Sequence, residues 1–296
     1  MGPLPVLFVG TGIMGAPMAI NLARNGLSVS AWNRSPEKVI ALGQHGIGLE
    51  TDLASLEPSR RVVILMLSTG PVCDEVLFGK TGQAGLVKAL LPGSILVVMS
   101  SIPVETAKEQ ARRLAGHGID YVDAPVSGGE QGAKNATLSI MAGGDEDVIA
   151  RIRPVLEHLG KLTHVGPPGS GQLVKLANQT IVGITIGAVS EALILAEAGG
   201  ADIAAARDAL LGGFADSTIL RQHGRRIIDL NFTPGAHAHV QLKDVRTAEA
   251  LAKNLGLCLP LLAKTRSLYE GMCDTDLKQA DHSALYLYLK DFPVCD

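Results

Sequence analysis

An α/β domain with a mostly parallel sheet, followed by an all-α domain, is the fold class that this 296-residue sequence predicts. In the first half, short aliphatic runs alternate with helix-like segments, which is typical of a parallel sheet covered by helices on both faces. After Gln172 the strand signals end, and a long apolar stretch continues to about Ala198. We therefore expect a sheet domain over 1–165 and a helical domain over 166–296, joined through a long interdomain helix.

The sheet domain is expected to alternate strands and helices along the chain, because each helix-like segment is short enough for one crossover. The predicted strands are the aliphatic runs Pro5–Val9, Ser28–Trp32, Val62–Leu67, Ile95–Met99, Ile119–Asp123, Leu138–Met141 and Leu162–Val165. The predicted helices between them are Met14–Asn25, Pro36–Leu42, Pro103–His117 and Glu146–Leu159. Beyond Ala198, several helices are separated by turn residues at Gly199-Gly200, Gly212-Gly213, Pro234-Gly235 and Gly256.

Composition and charge exclude several classes of protein. A hydrophobic fraction of 47% and a charged fraction of 19% argue against a disordered chain. The 26 Lys and Arg residues against 29 Asp and Glu give a net charge of −3, without a basic block that would bind a nucleic-acid backbone. The longest weakly polar stretch, Leu176 to Ser190, is shorter than the ~20 apolar residues of a membrane span. We therefore expect neither a nucleic acid nor a membrane as a partner.

The N-terminus and the cysteines predict a cytoplasmic protein. The first residues lead directly into an apolar strand, without the charged segment or the cleavage site of a secretory signal. The four cysteines have no paired spacing, which is typical of reduced thiols in a reducing compartment: Cys73, Cys258, Cys273 and Cys295.

A glycine-rich turn, Gly10–Gly15, follows the first predicted strand and opens the first helix. Its sequence, GTGIMG, fits the GxGxxG fingerprint of a Rossmann-type βαβ unit. Gly10 permits the tight turn, Gly12 lets the backbone approach a pyrophosphate, and Gly15 lets the helix pack close to the strand. The helix N-terminus then faces the anion. The sequence thus predicts a dinucleotide site formed by Gly10, Thr11, Gly12, Ile13, Met14 and Gly15.

The residues after the second strand favour NADP(H) over NAD(H). A site that prefers NAD carries Asp or Glu there, to accept hydrogen bonds from the ribose hydroxyls. This chain has Asn33-Arg34-Ser35 instead. A neutral Asn does not repel a 2′-phosphate, and an Arg can pair with it. The alternative interpretation is that Arg34 is an exposed loop charge.

Two further segments carry residues suited to catalysis. The turn Ser127-Gly128-Gly129 offers peptide N–H groups and a hydroxyl that can hold a carboxylate, although a plain Gly-Gly turn fits equally well. On the long helix, Lys175 and Asn178 fall on one face among apolar residues. Because removal of water disfavours a charged ammonium group, Lys175 is a candidate general acid. By spacing alone, a lysine that extends from an amphipathic helix to solvent explains the pattern better.

The helical half contains one possible pair of metal ligands and one charged pair. His237 and His239 lie two residues apart, but no third ligand is evident, so no metal site is predicted. Lys243-Asp244 follows them closely in the chain.

With these motifs the sequence resembles the β-hydroxyacid dehydrogenase family over nearly the whole chain. Gly10–Leu22 (GTGIMGAPMAINL) is similar to the family's cofactor signature, Asp123–Gly132 (DAPVSGGEQG) to its substrate signature, and Gly171–Asn178 (GQLVKLAN) to its catalytic signature. Four other stretches resemble the members that reduce tartronate semialdehyde (2-hydroxy-3-oxopropanoate) to D-glycerate: Ala136–Gly144, Val189–Leu193, Gly212–Ser217 and Asp281–Leu285.

The resemblance implies a role for each candidate residue. Lys175 becomes the catalytic acid/base and Asn178 its partner, and NADP(H) becomes the preferred cofactor, with NAD(H) as an alternative. The substrate contacts become Ser101, Ser127, Gly128 and Gly129. The cofactor contacts become the turn Gly10–Gly15 together with Asn33, Arg34, Ser35, Leu67 and Lys243. A homo-oligomer, dimer or tetramer, and a small carboxylate or semialdehyde substrate are also implied.

Two departures from the family's pattern keep alternatives open. Ser100-Ser101-Ile102-Pro103 is one residue shorter than usual, and Ala236 occupies a position eight before Asp244 that is often Phe. A missing aromatic wall enlarges the substrate pocket unless another side chain fills it. The activity of a 3-hydroxyisobutyrate dehydrogenase, or of a broad glyoxylate and succinic semialdehyde reductase, is therefore the first alternative. An NADPH-binding scaffold without catalysis is the second, and the presence of Lys175 argues against it.

Overall fold

The structure is a computed structural model, which describes residues 5–53, 55–59, 61–80 and 84–292. Cys295, predicted to be a reduced thiol, lies outside these residues. The chain divides into two compact units, Met1–Lys175 and Leu176–Asp296. The first contains a sheet with helices, and the described part of the second is helical. The predicted fold class, a mostly parallel α/β domain followed by an all-α domain, is confirmed.

The sheet of the first unit is formed by short strands in the order β3-β2-β1-β4-β5-β6-β8-β7, with β9 paired to β8. Strands β1 to β6 are parallel, β8 is antiparallel to β6 and β7, and β9 is parallel to β8. The strand bounds are β1 Val6–Val9, β2 Val29–Trp32, β3 Gly48–Leu49, β4 Val62–Leu65, β5 Ile95–Val98, β6 Asp120–Asp123, β7 Val126–Ser127, β8 Leu138–Gly143 and β9 Gly160–Gly166.

The helices of the first unit connect these strands, and those of the second follow one another directly. The bounds are α1 Gly15–Arg24, α2 Glu37–Ile40, α3 Gly70–Phe78, α4 Val104–Ala115, α5 Gly129–Lys134, α6 Glu146–Leu156, α7 Ser170–Ala198, α8 Ile203–Leu210, α9 Thr218–Ile228, α10 Ala238–Asn254, α11 Pro260–Cys273 and α12 Leu285–Lys290. Short 3₁₀ segments lie at Gly43–His45, Leu86–Ala89, Asp276–Gln279 and His282–Ala284.

The core of the first unit lies on both faces of the sheet. Along β1, Val6 and Phe8 pack into one apolar cluster, and Leu7 and Val9 into the other. All four side chains are buried. A strand covered on both faces reads as a continuous apolar run, which is why these strands could be located from the sequence.

Several elements depart from the predicted boundaries. The strand predicted over Val62–Leu67 ends at Leu65, and the helix predicted over Pro36–Leu42 is a single turn followed by a 3₁₀ segment. Helix α3 was not predicted, because Gly70-Pro71 resembles a turn. Thr69 caps that helix instead, since its Oγ1 accepts a hydrogen bond from the backbone N–H of Val72.

Helix α7 is 29 residues long and continues beyond both ends of the predicted weakly polar stretch Leu176–Ser190. Its mean hydropathy reaches 1.8, and 28% of the corresponding window is buried. Within the described part of the chain it is the one helix whose length and composition suffice to cross a membrane. A core helix of a globular protein satisfies the same criterion, so this is weak grounds for a membrane span.

Candidate cofactor and catalytic site

Most of the predicted site residues of the first unit lie at one edge of the sheet. Strands β1, β2, β4 and β5 are parallel neighbours, so the residues that follow them emerge at the same edge. The central position of β1, between β2 and β4, is where the strand order reverses. Open α/β sheets bind ligands at this point, outside the carboxyl ends of the strands. The structure therefore brings to this edge the turn Gly10–Gly15, Asn33, Arg34, Ser35, Leu67 and Ser101.

The turn Gly10–Gly15 is held tightly at two of its glycines and is open at the third. Gly10 has φ +99°, and a Cβ there would clash with the carbonyl oxygen of Met66. A Cβ at Gly15 would clash with the carbonyl oxygen of Gly10. By contrast, a Cβ at Gly12 would meet nothing within 4 Å. The geometry thus leaves free space over Gly12, where the fingerprint places a pyrophosphate.

The residues of the turn fit a bound dinucleotide. Thr11 is buried, and its Oγ1 has no hydrogen-bond partner among the described residues. A buried hydroxyl normally has a partner, so this atom indicates a ligand that supplies one. Ile13 is 63% exposed, Met14 is half-buried, and α1 begins at Gly15 immediately afterwards. NAD(P) is the group that this combination of open backbone, orphaned hydroxyl and helix start accommodates.

The segment Asn33-Arg34-Ser35 leaves β2 as a compact turn. Asn33 Nδ2 donates to the carbonyl oxygen of Ser35 at 3.4 Å. Arg34 is exposed and forms no ion pair with the described residues, which leaves its guanidinium available to an anion at this edge.

The predicted carboxylate cradle, as we call Ser127, Gly128 and Gly129, lies where β7 ends and α5 begins. Ser127 pairs with Ser139 of β8, and its side chain is half-buried. Gly128 and Gly129 are exposed and have φ values of +136° and +61°, which a residue with a side chain rarely adopts. A Cβ at Gly129 would meet nothing within 4 Å, so the backbone is open on that side.

Asp123, at the start of the predicted substrate signature, holds the beginning of α7. Its side chain is fully buried. Oδ1 accepts from the N–H of Gly169 at 2.6 Å, and Oδ2 accepts from the N–H of Gln172 at 2.8 Å. Burial raises the pKa of Asp123 to about 6, and these N–H donors act in the opposite direction. The carboxyl group therefore links β6 to the first turn of the helix that carries Lys175.

Lys175 and Asn178 both lie on α7, one turn apart, and both are half-buried. This confirms the predicted helix. Asn178 Nδ2 donates to Gln179 Oε1 at 2.9 Å.

Gln179 was not predicted from the sequence, although it forms hydrogen bonds with polar side chains of α7 and α10. Its Nε2 donates to Asp244 Oδ2 at 2.7 Å, and its backbone carbonyl accepts from Gln241 Nε2 at 3.1 Å. Lys243 Nζ forms an ion pair of 3.0 Å with Asp244 Oδ1. The signal available in the sequence was only its place directly after Asn178.

Lys243 also lines a cavity of about 570 Å³ in the second unit. The cavity is mainly charged: Arg246, Lys278 and Glu270 contribute to its wall, together with His239. Arg246 is itself paired with Glu270 at 2.9 Å.

The histidines of the second unit are held by backbone and side-chain contacts. The rings of His237 and His239 stack at 5.1 Å, and each ring lies against a backbone carbonyl oxygen. Among the described residues, one group has the spacing of metal ligands: His223, Asp281 and His282, with candidate atoms within 4.8 Å of one another. Both carboxylate oxygens of Asp281 already accept hydrogen bonds, from Ser283 on one side and from two backbone N–H groups on the other.

The chain is similar to known proteins over most of its length. Residues 5–166 match the family described as the NAD binding domain of 6-phosphogluconate dehydrogenase, and residues 169–289 match the NAD-binding domain of NADP-dependent 3-hydroxyisobutyrate dehydrogenase. The chain is 47% identical to a 2-hydroxy-3-oxopropionate reductase of Escherichia coli K12, over 94% of both chains.

Two 3-hydroxyisobutyrate dehydrogenases are also similar. The Pseudomonas aeruginosa PAO1 protein is 32% identical over 95% of both chains. The solved structure of the Mycobacterium tuberculosis protein, with L-serine, has a TM-score of 0.85 at 30% identity, and the match covers 98% of this chain and 100% of that chain.

Proposed function

This chain belongs to the β-hydroxyacid dehydrogenase family of oxidoreductases, and we propose that it reduces tartronate semialdehyde to D-glycerate with NADPH. The observation that carries the choice of substrate is the 47% identity to the 2-hydroxy-3-oxopropionate reductase of E. coli over 94% of both chains. A TM-score of 0.85 to a 3-hydroxyisobutyrate dehydrogenase supports the wider class of hydroxy-acid chemistry.

In this proposal the turn Gly10–Gly15 holds the cofactor's pyrophosphate, with Thr11 Oγ1 as an additional contact. Leu67 packs against the same turn, because its Cδ2 lies 2.9 Å from the position of a Cβ on Gly10. The chemistry that a bound NADPH supplies is a hydride for the aldehyde carbon. The preference for NADPH is supported by Arg34, an exposed cation at the end of β2, and by the absence of an acidic residue at Asn33.

Lys175 acts as the general acid in the proposed reaction. Its ammonium group gives a proton to the carbonyl oxygen while the aldehyde carbon is reduced, so the C=O group becomes CH–OH and the lysine becomes neutral. Asn178, one turn further along α7, holds the same oxygen and Lys175 in place. An amide donor near a developing negative charge stabilises the transition state.

The carboxylate cradle and Ser101 orient the substrate. The open backbone of Gly128 and Gly129 and the hydroxyl of Ser127 bind the carboxylate, while Ser101, close after β5, contacts the reacting end. Fixing the substrate in this way accounts for a large part of an enzyme's rate enhancement. Lys243, which Asp244 holds in an ion pair, is proposed as a further cofactor contact.

The first alternative is the activity of a 3-hydroxyisobutyrate dehydrogenase or of a broad glyoxylate and succinic semialdehyde reductase. The residue at position 236 favours this alternative. Ala236 stands where an aromatic residue is common, and it is half-buried, with its backbone N–H bound to Asp281 Oδ2 at 3.2 Å. A small side chain on a fixed backbone suits a larger substrate. A scaffold that binds NADPH without turnover is the second alternative.

We also propose that the enzyme is a cytoplasmic homo-oligomer, with a dinucleotide domain over 1–165 and a helical domain over 166–296. The described cysteines are free thiols, which supports a reducing compartment. Exposed apolar side chains on the helical unit support association between subunits. The most exposed of these are Ile181, Leu195, Phe214, Leu230 and Leu261.

The identity of the reaction product tests the proposed function. Purified protein is incubated with NADPH and tartronate semialdehyde, and the product is identified by NMR and chiral chromatography. D-glycerate formed in a one-to-one ratio with oxidised cofactor supports the proposal. Tight binding of NADPH without turnover of any short semialdehyde would favour the scaffold.

A further inference from the structure

Gln172 forms two hydrogen bonds with the backbone on either side of Ser101. The N–H of Ile102 donates to Gln172 Oε1 at 3.0 Å. Gln172 Nε2 donates to the carbonyl oxygen of Ser100 at 2.9 Å. The side chain is 1% exposed. One amide group thus satisfies the residue before Ser101 and the residue after it.

The segment held by Gln172 is fixed by a further hydrogen bond. Ser100 Oγ accepts from the N–H of Leu67 at 2.6 Å, which ties the chain after β5 to the chain after β4. Ser101 therefore stands in a segment with little freedom to move, while its own side chain is half-buried and forms no hydrogen bond with the described residues.

The backbone of Gln172 is anchored in turn. Its N–H donates to Asp123 Oδ2 at 2.8 Å, and a Cβ on the neighbouring Gly171 would clash with the carbonyl oxygens of Asp123 and Met141. The first turn of α7 therefore packs closely against β6 and β8. Gln172 precedes Lys175 by three residues, so both side chains extend from the same face of the helix.

We propose that Gln172 is a positioning residue for the reaction, fixing the Ser101 hydroxyl relative to the Lys175 amine. This inference rests on the proposed function, in which Ser101 contacts the substrate and Lys175 supplies the proton. The side-chain amide of Gln172 bonds to the backbone of Ser100 and Ile102. It acts by joining the two segments, and a misplacement of about 1 Å between reacting groups costs on the order of 100-fold in rate.

A matched control separates positioning from a general contribution to folding. Gln110, on α4, is also 1% exposed and also forms two side-chain hydrogen bonds. Its Nε2 donates to Asp74 Oδ1 at 2.7 Å, and its Oε1 accepts from the hydroxyl of Tyr121 at 3.1 Å. Replacing either glutamine with methionine keeps the length of the side chain and removes both bonds.

The experiment compares Gln172→Met with Gln110→Met and the wild type, in full-length protein. Melting temperature, the Kd of NADPH, and kcat and KM for the semialdehyde are measured. We expect both variants to melt at lower temperature and to bind NADPH as the wild type does. Gln172→Met should lose kcat by about 10- to 100-fold, a larger change than in KM, whereas Gln110→Met should keep the wild-type kcat.

Equal kcat values for the two variants would overturn the inference. If Gln172→Met does not fold, Gln172→Glu replaces it with Gln110→Met still as the control, because glutamate keeps the acceptor for Ile102 and, when ionised, loses the donor to Ser100. A wild-type protein without turnover would contradict the proposed function instead, so the two failures are distinguishable.

Discussion

Lys175 is half-buried on α7 and is the residue to which the proposed reaction assigns the proton transfer. We expect Lys175→Ala to lose turnover by about 10²- to 10⁴-fold, the usual contribution of a general acid. NADPH binding should be retained, because the turn Gly10–Gly15 is unchanged. The measurement is kcat together with the Kd of NADPH, and Lys161→Ala, an exposed lysine on β9, is the control. Wild-type turnover in Lys175→Ala would refute the assignment.

We propose that Arg34 determines the preference for NADPH over NADH. Loss of hydrogen bonds to a charged group costs about 1.5–3 kcal/mol, so Arg34→Ala should raise the KM for NADPH by about 10- to 100-fold. The KM for NADH should change little, since NADH has no 2′-phosphate. Steady-state kinetics with both cofactors measure this, and Arg24→Ala, an exposed arginine at the end of α1, is the matched variant. An equal rise for both cofactors would place Arg34 away from the phosphate.

The sequence predicted site residues that belong to contiguous motifs, such as GTGIMG and GQLVKLAN. It did not predict the partners that fix them. The bonds from Gln172 to Ser100 and Ile102 span about 70 positions of the chain, so no local pattern contains them. Gln179 was missed for the same reason, since its partner Asp244 lies on another helix.

At the scale of elements, two glycines of the turn between β1 and α1 should affect different properties. Gly15 is needed for folding, and Gly12 for the binding of NADPH. A Cβ on Gly15 has no space beside the Gly10 carbonyl, so Gly15→Ala should lower the melting temperature, with overpacking that costs about 1–3 kcal/mol or more. A Cβ on Gly12 meets nothing within 4 Å, so Gly12→Ala should melt like the wild type. Its affinity for NADPH should still fall by about tenfold, or about 1.4 kcal/mol, because the methyl group occupies the space of the pyrophosphate.

Calorimetry and NADPH titration measure both effects. Gly43→Ala, which also has open space and lies in the 3₁₀ segment after α2, is the control for Gly12→Ala. Unchanged NADPH affinity in Gly12→Ala would show that the cofactor does not approach this turn.

The junction of β6 with α7 should make stability depend on pH. The pKa of Asp123, raised to about 6 by burial, lies above the ordinary value of 3.8, so the folded chain binds this proton more tightly than the unfolded chain. The stabilisation that the protonated Asp123 side chain contributes is complete below about pH 4 and is lost as the pH rises through about 6. Asp123→Asn does not titrate, so the stability of the wild type relative to this variant should fall by about 3 kcal/mol between those limits.

Urea unfolding of the wild type and Asp123→Asn at several pH values measures this difference. Asp120→Asn, at the other end of β6 and partly exposed, controls for the loss of a charge. If the stability of the wild type relative to Asp123→Asn instead increases as the pH rises, the N–H donors of Gly169 and Gln172 lower the pKa of Asp123 by more than burial raises it.

Strands buried on both faces were predicted well, and strands of only two residues were not. Continuous apolar runs such as Val6–Val9 exist because both faces of the sheet are covered. Strands β3 and β7 have only two residues each, which is too short for a period to be recognised. Helix α5 begins directly at the carboxylate cradle, and its glycines concealed it.

At the scale of the whole molecule, each unit has its own core and its own polar network. The sheet unit is built around two apolar clusters and the group formed by Asp123, Gln172 and Ser100. The helical unit has an apolar cluster with Leu193 and Tyr286, and a separate network through Gln179. The division into a sheet part and a helical part followed from the change in periodicity after Gln172.

The measurement that tests the account most directly is the rate of NADPH oxidation by purified protein with four substrates in parallel. These are tartronate semialdehyde, methylmalonate semialdehyde, succinic semialdehyde and glyoxylate, each repeated with NADH. We predict that kcat/KM is highest for tartronate semialdehyde with NADPH. A higher value for a bulkier semialdehyde would contradict the proposed substrate and indicate that Ala236 has enlarged the pocket.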